Sequence, residues 1–359
     1  MGRIVTILFA HRLGTALEPE CKMYRLAADV FNDTAMVLDC LSPVFPKATR
    51  VAILSFSSVL RALCGVCAGS AKASLSAHFA RHGNLGELNA KDSSQETVIS
   101  LLGMLAGSLV VSWVSSPLAT WSTLIALLSV HLATNYAAVR SVRMCSLNRQ
   151  RANIVFSSIL QHGQVLSPAQ VSQRERIFER DGALRWGDDG IIGYAKIGVS
   201  LSMLLSRVSG SRHAQTGSLH TPTALLSSLV HVFADEAYIL WADEQVALIV
   251  LKEGCGPGDQ LKAWAHALLL TQHQRRQRRR RREAKPDDDD DDDAGLRSDL
   301  DCTRPFNGRV AALRQTLLET RALFDAHVAS LQDKGWQIDI GALETRAGTR
   351  AVVHFNKEK

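Results

Sequence analysis

"TVISLLGMLAGSLVVSWVSSPLATWSTLIALLSVHLATNYAAV", residues 97–139, contains no Asp, Glu, Lys or Arg in 43 positions. A helix that crosses a bilayer needs about 20 apolar residues. Ser115-Ser116-Pro117 divides the run into halves of about that length, and proline breaks a helix because its ring removes an N–H donor and clashes with the preceding turn. Trp113 and Trp121 flank the break and Tyr136 stands near the far end, where interfacial aromatics belong. The stretch reads as a transmembrane helical hairpin. The competing reading is a buried hairpin in a large soluble helical protein, since many Ser and Thr lower its hydropathy.

Outward from the hairpin, residues 48–71, "ATRVAILSFSSVLRALCGVCAGSA", form another candidate span with Arg50 and Arg61 as blemishes. Gly65-x-x-x-Gly69 here and Gly103-x-x-x-Gly107 in the hairpin are spaced to let helices approach closely in lipid. Cys64 and Cys67 form a C-x-x-C, but no second pair follows and no strand precedes it, so both read as small hydrophobes in a helix. Seven scattered cysteines, an odd number, argue against a disulfide framework.

Residues 25–39, "RLAADVFNDTAMVLD", read as one more helix, apolar around most of its circumference. Arg25, Asp29 and Asp33 recur every four residues, with Asn32 beside them, and therefore share one stripe. Carboxylates on an apolar helix are expensive unless paired or facing a polar cavity, which makes this stripe the leading binding site. A second polar cluster, "NAKDSSQET" at 89–97, contributes Lys91, Asp92, Gln95 and Glu96; Lys91 is expected to reach the carboxylates of the first stripe. Counted with this helix there are four spans, and the Lys/Arg bias places both ends of the span region on the cytoplasmic side.

Beyond residue 150 the pattern changes. "SQRERIFERDG" reads as a solvated helix ending at Gly182, and a further apolar helix is expected from Ile191 to Val208. "SGSRHAQTGSLHTPT", 209–223, reads as a polar linker. "AYILW" (237–241) and "VALIVL" (246–251) read as strands, "GPGDQLKAWAHALLL" as a helix capped by Asp259, 304–331 as an amphipathic helix and "GWQIDIG" as a further strand. The arginine run 275–282 and the aspartate run 287–293 neutralise one another, so 272–303 is read as a disordered insertion and no nucleic-acid partner is expected. The fold class is mainly α: a membrane-embedded helical bundle over 1–208, a linker, and a small α+β domain over 224–359.

Chemistry is sparse. His78 and His82 stand i, i+4 without the glutamate of H-E-x-x-H. "GCGPG" at 254–258 lacks the P-loop Lys-Ser/Thr. No nucleophile triad, no metal set and no Schiff-base lysine context is present, so the reading leans away from an enzyme and leaves the cofactor unknown.

Three segments in order carry a resemblance: "KMYRLAADVFNDTAMVLDCLSPVFP", "CAGSAKASLSAHFARHGNLGELNAKDSSQET" and "HLATNYAAVRSVRMCSLNRQR". The chain resembles the root UVB-sensitive family, also described as the vitamin B6 photo-protection and homoeostasis domain, over about residues 1–270 plus "GW" at 335–336. The acidic-helix hallmark falls on Asp29, Asn32, Asp33, Ala35 and Met36, and the second motif on Lys91, Asp92, Ser94, Gln95 and Glu96. The resemblance implies UVB tolerance, auxin distribution, plastids and vitamin B6 homeostasis as the setting, and partnership with family members as a homo- or hetero-oligomer. It also implies a Gly-rich segment upstream of "GRIVTILFAHRLG", so the chain is expected to begin inside the domain. The expected function is a polytopic membrane protein, transporter-like or a scaffold, with lipid around it and the organelle unknown. The alternative is a soluble helical adaptor without catalytic activity.

Overall fold

The computed structural model describes residues 2–81, 83–187, 190–208, 223–243, 246–283 and 306–353. The chain forms two compact units, residues 1–144 and 145–359.

The first unit is helical: α1 (Gly2–Leu13), α2 (Cys21–Leu41), α3 (Lys47–Phe79), α4 (Leu85–Trp113) and α5 (Pro117–Ser141). The Ser-Ser-Pro break works as its chemistry requires. Val114 closes α4, Ser116 caps α5 by accepting the Ala119 N–H at 3.2 Å, and Pro117 takes the first helical position, where its missing N–H costs nothing. α2 packs on α3 and α5, and α1 packs on α3. Phe9, Leu17, Tyr24, Ala28, Phe31, Cys64 and Cys67 form the apolar cluster among the first three helices.

The structure corrects the hairpin in two respects. Among the described residues, α4 and α5 do not pack along one another; α5 goes to α2 and α4 touches α3. The partners are chosen by polar groups: His131 of α5 meets Asp33 of α2, and Lys72 of α3 meets Asp92 and Glu96 of α4. The two Gly-x-x-x-Gly pairs are not at close contacts either, since a side chain added at Gly65, Gly69, Gly103 or Gly107 would meet nothing within 4 Å.

The second unit is built on a five-stranded sheet of order β1-β2-β4-β3, with β5 off this path and paired to β4. Its strands are β1 (Ala183–Arg185), β2 (Ile191–Ile197), β3 (Tyr238–Ala242), β4 (Val246–Lys252) and β5 (Arg350–Ala351). β3 and β4 pair antiparallel, with Tyr238 opposite Leu251 and Ala242 opposite Ala247, while β2 and β5 run parallel to β4. β3 is buried at every residue and β4 at all but its first, which is why both read as continuous apolar runs. The unit's helices are α6 (Arg149–His162), α7 (Pro168–Arg174), α8 (Leu201–Val208), α9 (Thr223–Val232), α10 (Pro257–Glu283) and α11 (Phe306–Asp333). α10 lies against β2, β3, β4, α6 and α11 and places Trp264 at the centre of the core.

Several sequence expectations are overturned here. Residues 191–208 are not one helix: β2 takes 191–197, Gly198 turns with φ +73°, and only 201–208 is helical. A short buried apolar run has no periodicity that separates strand from helix. "SQRERIFERDG" leaves the helix after Arg174, because Glu175 turns inward to pair with Arg151 and the Arg176 N–H binds Gln150. "GWQIDIG" makes only a single bridge, Gln337 to Ser146, and Trp336 pins it by donating its indole N–H to the Leu166 carbonyl at 2.7 Å. Asp259 sits in the first turn of α10 and accepts the Gly256 N–H at 3.0 Å, so it is not the cap itself. The insertion expected at 272–303 is helical through Glu283, as arginine and glutamine are good helix formers; residues 284–303 lie outside the described residues. The linker expected at 209–223 also lies outside them up to residue 222, and residues 145–208 belong to the compact unit that contains the sheet.

Candidate functional site

The polar stripe of α2 is real, and it is covered. Asp29 is 6% and Asp33 9% exposed, because α3 and α5 pack over that side of the helix. Arg25 Nη1 donates to Asp29 Oδ1 at 2.6 Å along the helix. Asp33 Oδ2 lies 3.0 Å from His131 Nδ1 on α5. The second oxygen of each carboxylate, Asp29 Oδ2 and Asp33 Oδ1, is buried and accepts no hydrogen bond among the described residues. Asn32 lies beside them with its amide toward Met36 Sδ, 3.6 Å away. Cys64 of α3 lies within electrostatic range of Arg25, Asp29, Asp33 and Arg61. Arg61 is itself bound to Asp39. Ser57 of α3 donates to the Ala35 carbonyl at 3.1 Å and holds α3 against this end of α2.

The second sequence cluster does not join the first. Lys91 pairs with Glu87 at 2.5 Å along α4 and is exposed, so it is not the cation that reaches the α2 carboxylates. Asp92 and Glu96 share Lys72 of α3 at 2.8 and 2.7 Å, and Gln95 is exposed. Spacing along α4 explains this: Asp92 and Glu96 stand four apart on one face, and Lys91 stands beside that face. Sequence reasoning does not single out His131: a lone histidine in a long apolar helix gives a weak signal, and its position in a charge-free run is the clue it offers.

His78 Nε2 lies 3.0 Å from the Arg143 carbonyl, and His82 is outside the described residues. Among the described residues no group of three or more His, Cys, Asp or Glu is arranged to hold a metal ion.

The sheet unit carries a separate polar cleft of about 180 Å³ beside α6, lined among others by Gln150, Ser157, His162, Arg174, Arg176 and Arg185. Its sequence signal is spread over three elements and was not read. Glu179 clamps Arg185 through two bonds of 2.5 and 3.1 Å. Burial raises the Glu179 pKa, but the bond from Arg185, the Arg180 N–H and the charge of Arg176 outweigh it and hold the group below its ordinary value.

Comparison with known proteins covers both units. Residues 1–163 match the model of the vitamin B6 photo-protection and homoeostasis domain, and residues 164–346 match the root UVB sensitive protein C-terminal model. The chain belongs to the root UVB sensitive family. It is 32% identical over 280 residues to protein root UVB sensitive 3 of Arabidopsis thaliana, covering 75% of this chain and 59% of that protein. It is 37% identical over 181 residues to RUS family member 1 of Dictyostelium discoideum, covering 49% of this chain and 34% of that protein. A third relative is the chloroplastic protein root UVB sensitive 2 of Arabidopsis thaliana, 23% identical over 258 residues, 72% of this chain and 54% of that protein. The chain therefore spans between a third and three fifths of the relatives it matches. No solved structure matches it. In this root UVB sensitive chain the first family model ends inside the loop after α6, yet α6 packs against the sheet, so the sequence boundary and the structural one differ.

Proposed function

We propose that this chain is an integral membrane protein that acts in UVB tolerance and vitamin B6 homeostasis, the processes for which its family is named, as a transporter-like protein with its polar site on α2. The observation that carries the membrane reading is α4. It is 29 residues long and apolar over its second half, and not one of its residues is buried. Val98, Ile99, Leu101, Leu102, Met104 and Leu105 are each more than half exposed. α3 and α5 are likewise long and apolar enough to cross a bilayer, with little of their apolar surface covered. Water does not tolerate contiguous apolar surface on this scale, so lipid or a partner must cover it. α2 is not apolar enough to count as a lipid-facing span, since Lys22, Arg25, Asp29, Asp33 and Asp39 lie in it. It fits as an interior helix whose carboxylates α3 and α5 shield, which is the setting in which intramembrane charges bind ions or substrates.

A second reading, a scaffold that pairs with another copy or another family member, is favoured by the lack of contact between α4 and most of its own unit. Alkaline carbonate extraction tests the membrane reading. The expected result is that the chain stays in the pellet; release into the supernatant favours the soluble adaptor. The site is tested by Asp33→Asn, nearly isosteric, which is expected to insert at normal levels and fail to complement loss of the protein. Full complementation would remove α2 as the site.

A further inference from the structure

We propose that the orphan oxygens Asp29 Oδ2 and Asp33 Oδ1 bind a protonated primary amine. The inference deepens the reading of α2 as the site and rests on it, but not on the presence of a membrane. Each carboxylate spends one oxygen on a protein partner, Arg25 or His131, and buries the other with no donor among the described residues. A buried ionised oxygen without a donor is strongly unfavourable, so the pair is built for something that arrives from outside. Arg25 balances Asp29. Asp33 has His131, 3.0 Å away. The other groups near the pair are committed or neutral: Arg61 is bound to Asp39, Cys64 is a thiol, and Lys22, buried earlier on α2, is itself engaged. By formal charge, one guanidinium against two carboxylates, the cluster of Arg25, Asp29 and Asp33 lacks one positive charge.

The chemistry of that charge follows from what surrounds it. A hard metal ion such as Ca²⁺ takes about six to eight oxygens. Here the backbone carbonyls are engaged within helices, and no three ligating side chains converge among the described residues. An ammonium group brings one charge and three N–H donors. Asp29 and Asp33 lie one helical turn apart, with Cβ atoms about 6 Å from each other, a separation one –NH₃⁺ group can serve. Phe31 and Cys64, partly buried against the adjoining cluster, offer apolar and aromatic surface to the carbon attached to it.

The test uses the full chain in phosphatidylcholine nanodiscs and follows its thermal unfolding during titration with methylammonium chloride at constant ionic strength. Tetramethylammonium, a cation without N–H donors, and sodium serve as the comparison ions. Methylammonium is expected to raise Tm at pH 8 where the other two do not. Asp29→Asn and Asp33→Asn should each abolish the shift, and His131→Gln should retain it. An equal shift with sodium or tetramethylammonium overturns the proposal, as does a methylammonium shift that survives both asparagine variants. Should the asparagine variants not fold, the contrast between the three ions in the unmodified chain still decides. A chain that stays out of nanodiscs refutes the membrane reading alone, and the same titration on the soluble protein then decides the amine site.

Discussion

Acidification from pH 7 towards pH 3 is expected to unfold the sheet unit through one side chain, His266. This residue is fully buried on α10 between Tyr238 of β3 and Thr316 of α11. Its tautomer follows from the bonds. The single Thr316 hydroxyl proton goes to the Ala312 carbonyl at 2.8 Å, so Thr316 Oγ1 accepts from His266 Nε2–H at 2.9 Å. Nδ1 is then the acceptor, and the Tyr238 hydroxyl donates to it at 3.1 Å. Both ring nitrogens are satisfied in the neutral form. Burial drives the pKa down to about 3 from 6.5; a backbone hydrogen bond at Leu313 opposes the shift and the charge of Lys262 adds to it. The unfolded chain therefore binds one more proton than the folded one between those values. The contribution of neutral His266 is complete above pH 6.5 and is lost as pH falls towards 3, at roughly 1.4 kcal/mol per unit and on the order of 5 kcal/mol in all. Chemical denaturation at pH 7, 5 and 4 reads this directly. His266→Gln should flatten the dependence across that window; an unchanged slope in the variant would mean that other groups carry the acid sensitivity.

Arg151→Ala is expected to cost the same unit about 3–5 kcal/mol, the usual penalty for removing one partner of a buried ion pair. Arg151 and Glu175 have side chains 2% and 5% exposed and lie 2.9 Å apart. The guanidinium also donates from Nε to the Ser146 carbonyl at 2.7 Å, tying the start of the unit to α6. The truncation removes the cation that balances the Glu175 carboxylate in a medium that solvates it poorly. A double substitution, Arg151→Met with Glu175→Leu, removes both charges and should recover most of the loss. Denaturation midpoints of the two variants distinguish an unbalanced charge from lost packing: if the double variant is no more stable than Arg151→Ala, packing is the cause.

Local signals on the chain were enough to locate the long helices, the break at Pro117, the strand pair β3–β4 and the carboxylate stripe on α2. Each depends on near neighbours in sequence: apolar runs, a proline, the four-residue spacing of Arg25, Asp29 and Asp33. They also carried the family resemblance, because its motifs are contiguous. What sequence alone could not supply was pairing at a distance. Nothing in residues 97–139 says that His131 turns to Asp33, 98 positions away, or that Lys91 stays on its own helix with Glu87 while Lys72 takes Asp92 and Glu96. β2 reads as helix in sequence because a short buried apolar run has no period of its own; pairing with β1 and β4 makes it a strand. Composition suggests an insertion from residue 272, yet α10 continues to Glu283 because packing of its first turns against the sheet nucleates a helix that arginine side chains then extend at little cost. Local chemistry determined which residues are polar on which helix, and tertiary packing decided which of them meet, since a buried charge selects its partner by what the fold brings within about 3 Å of it.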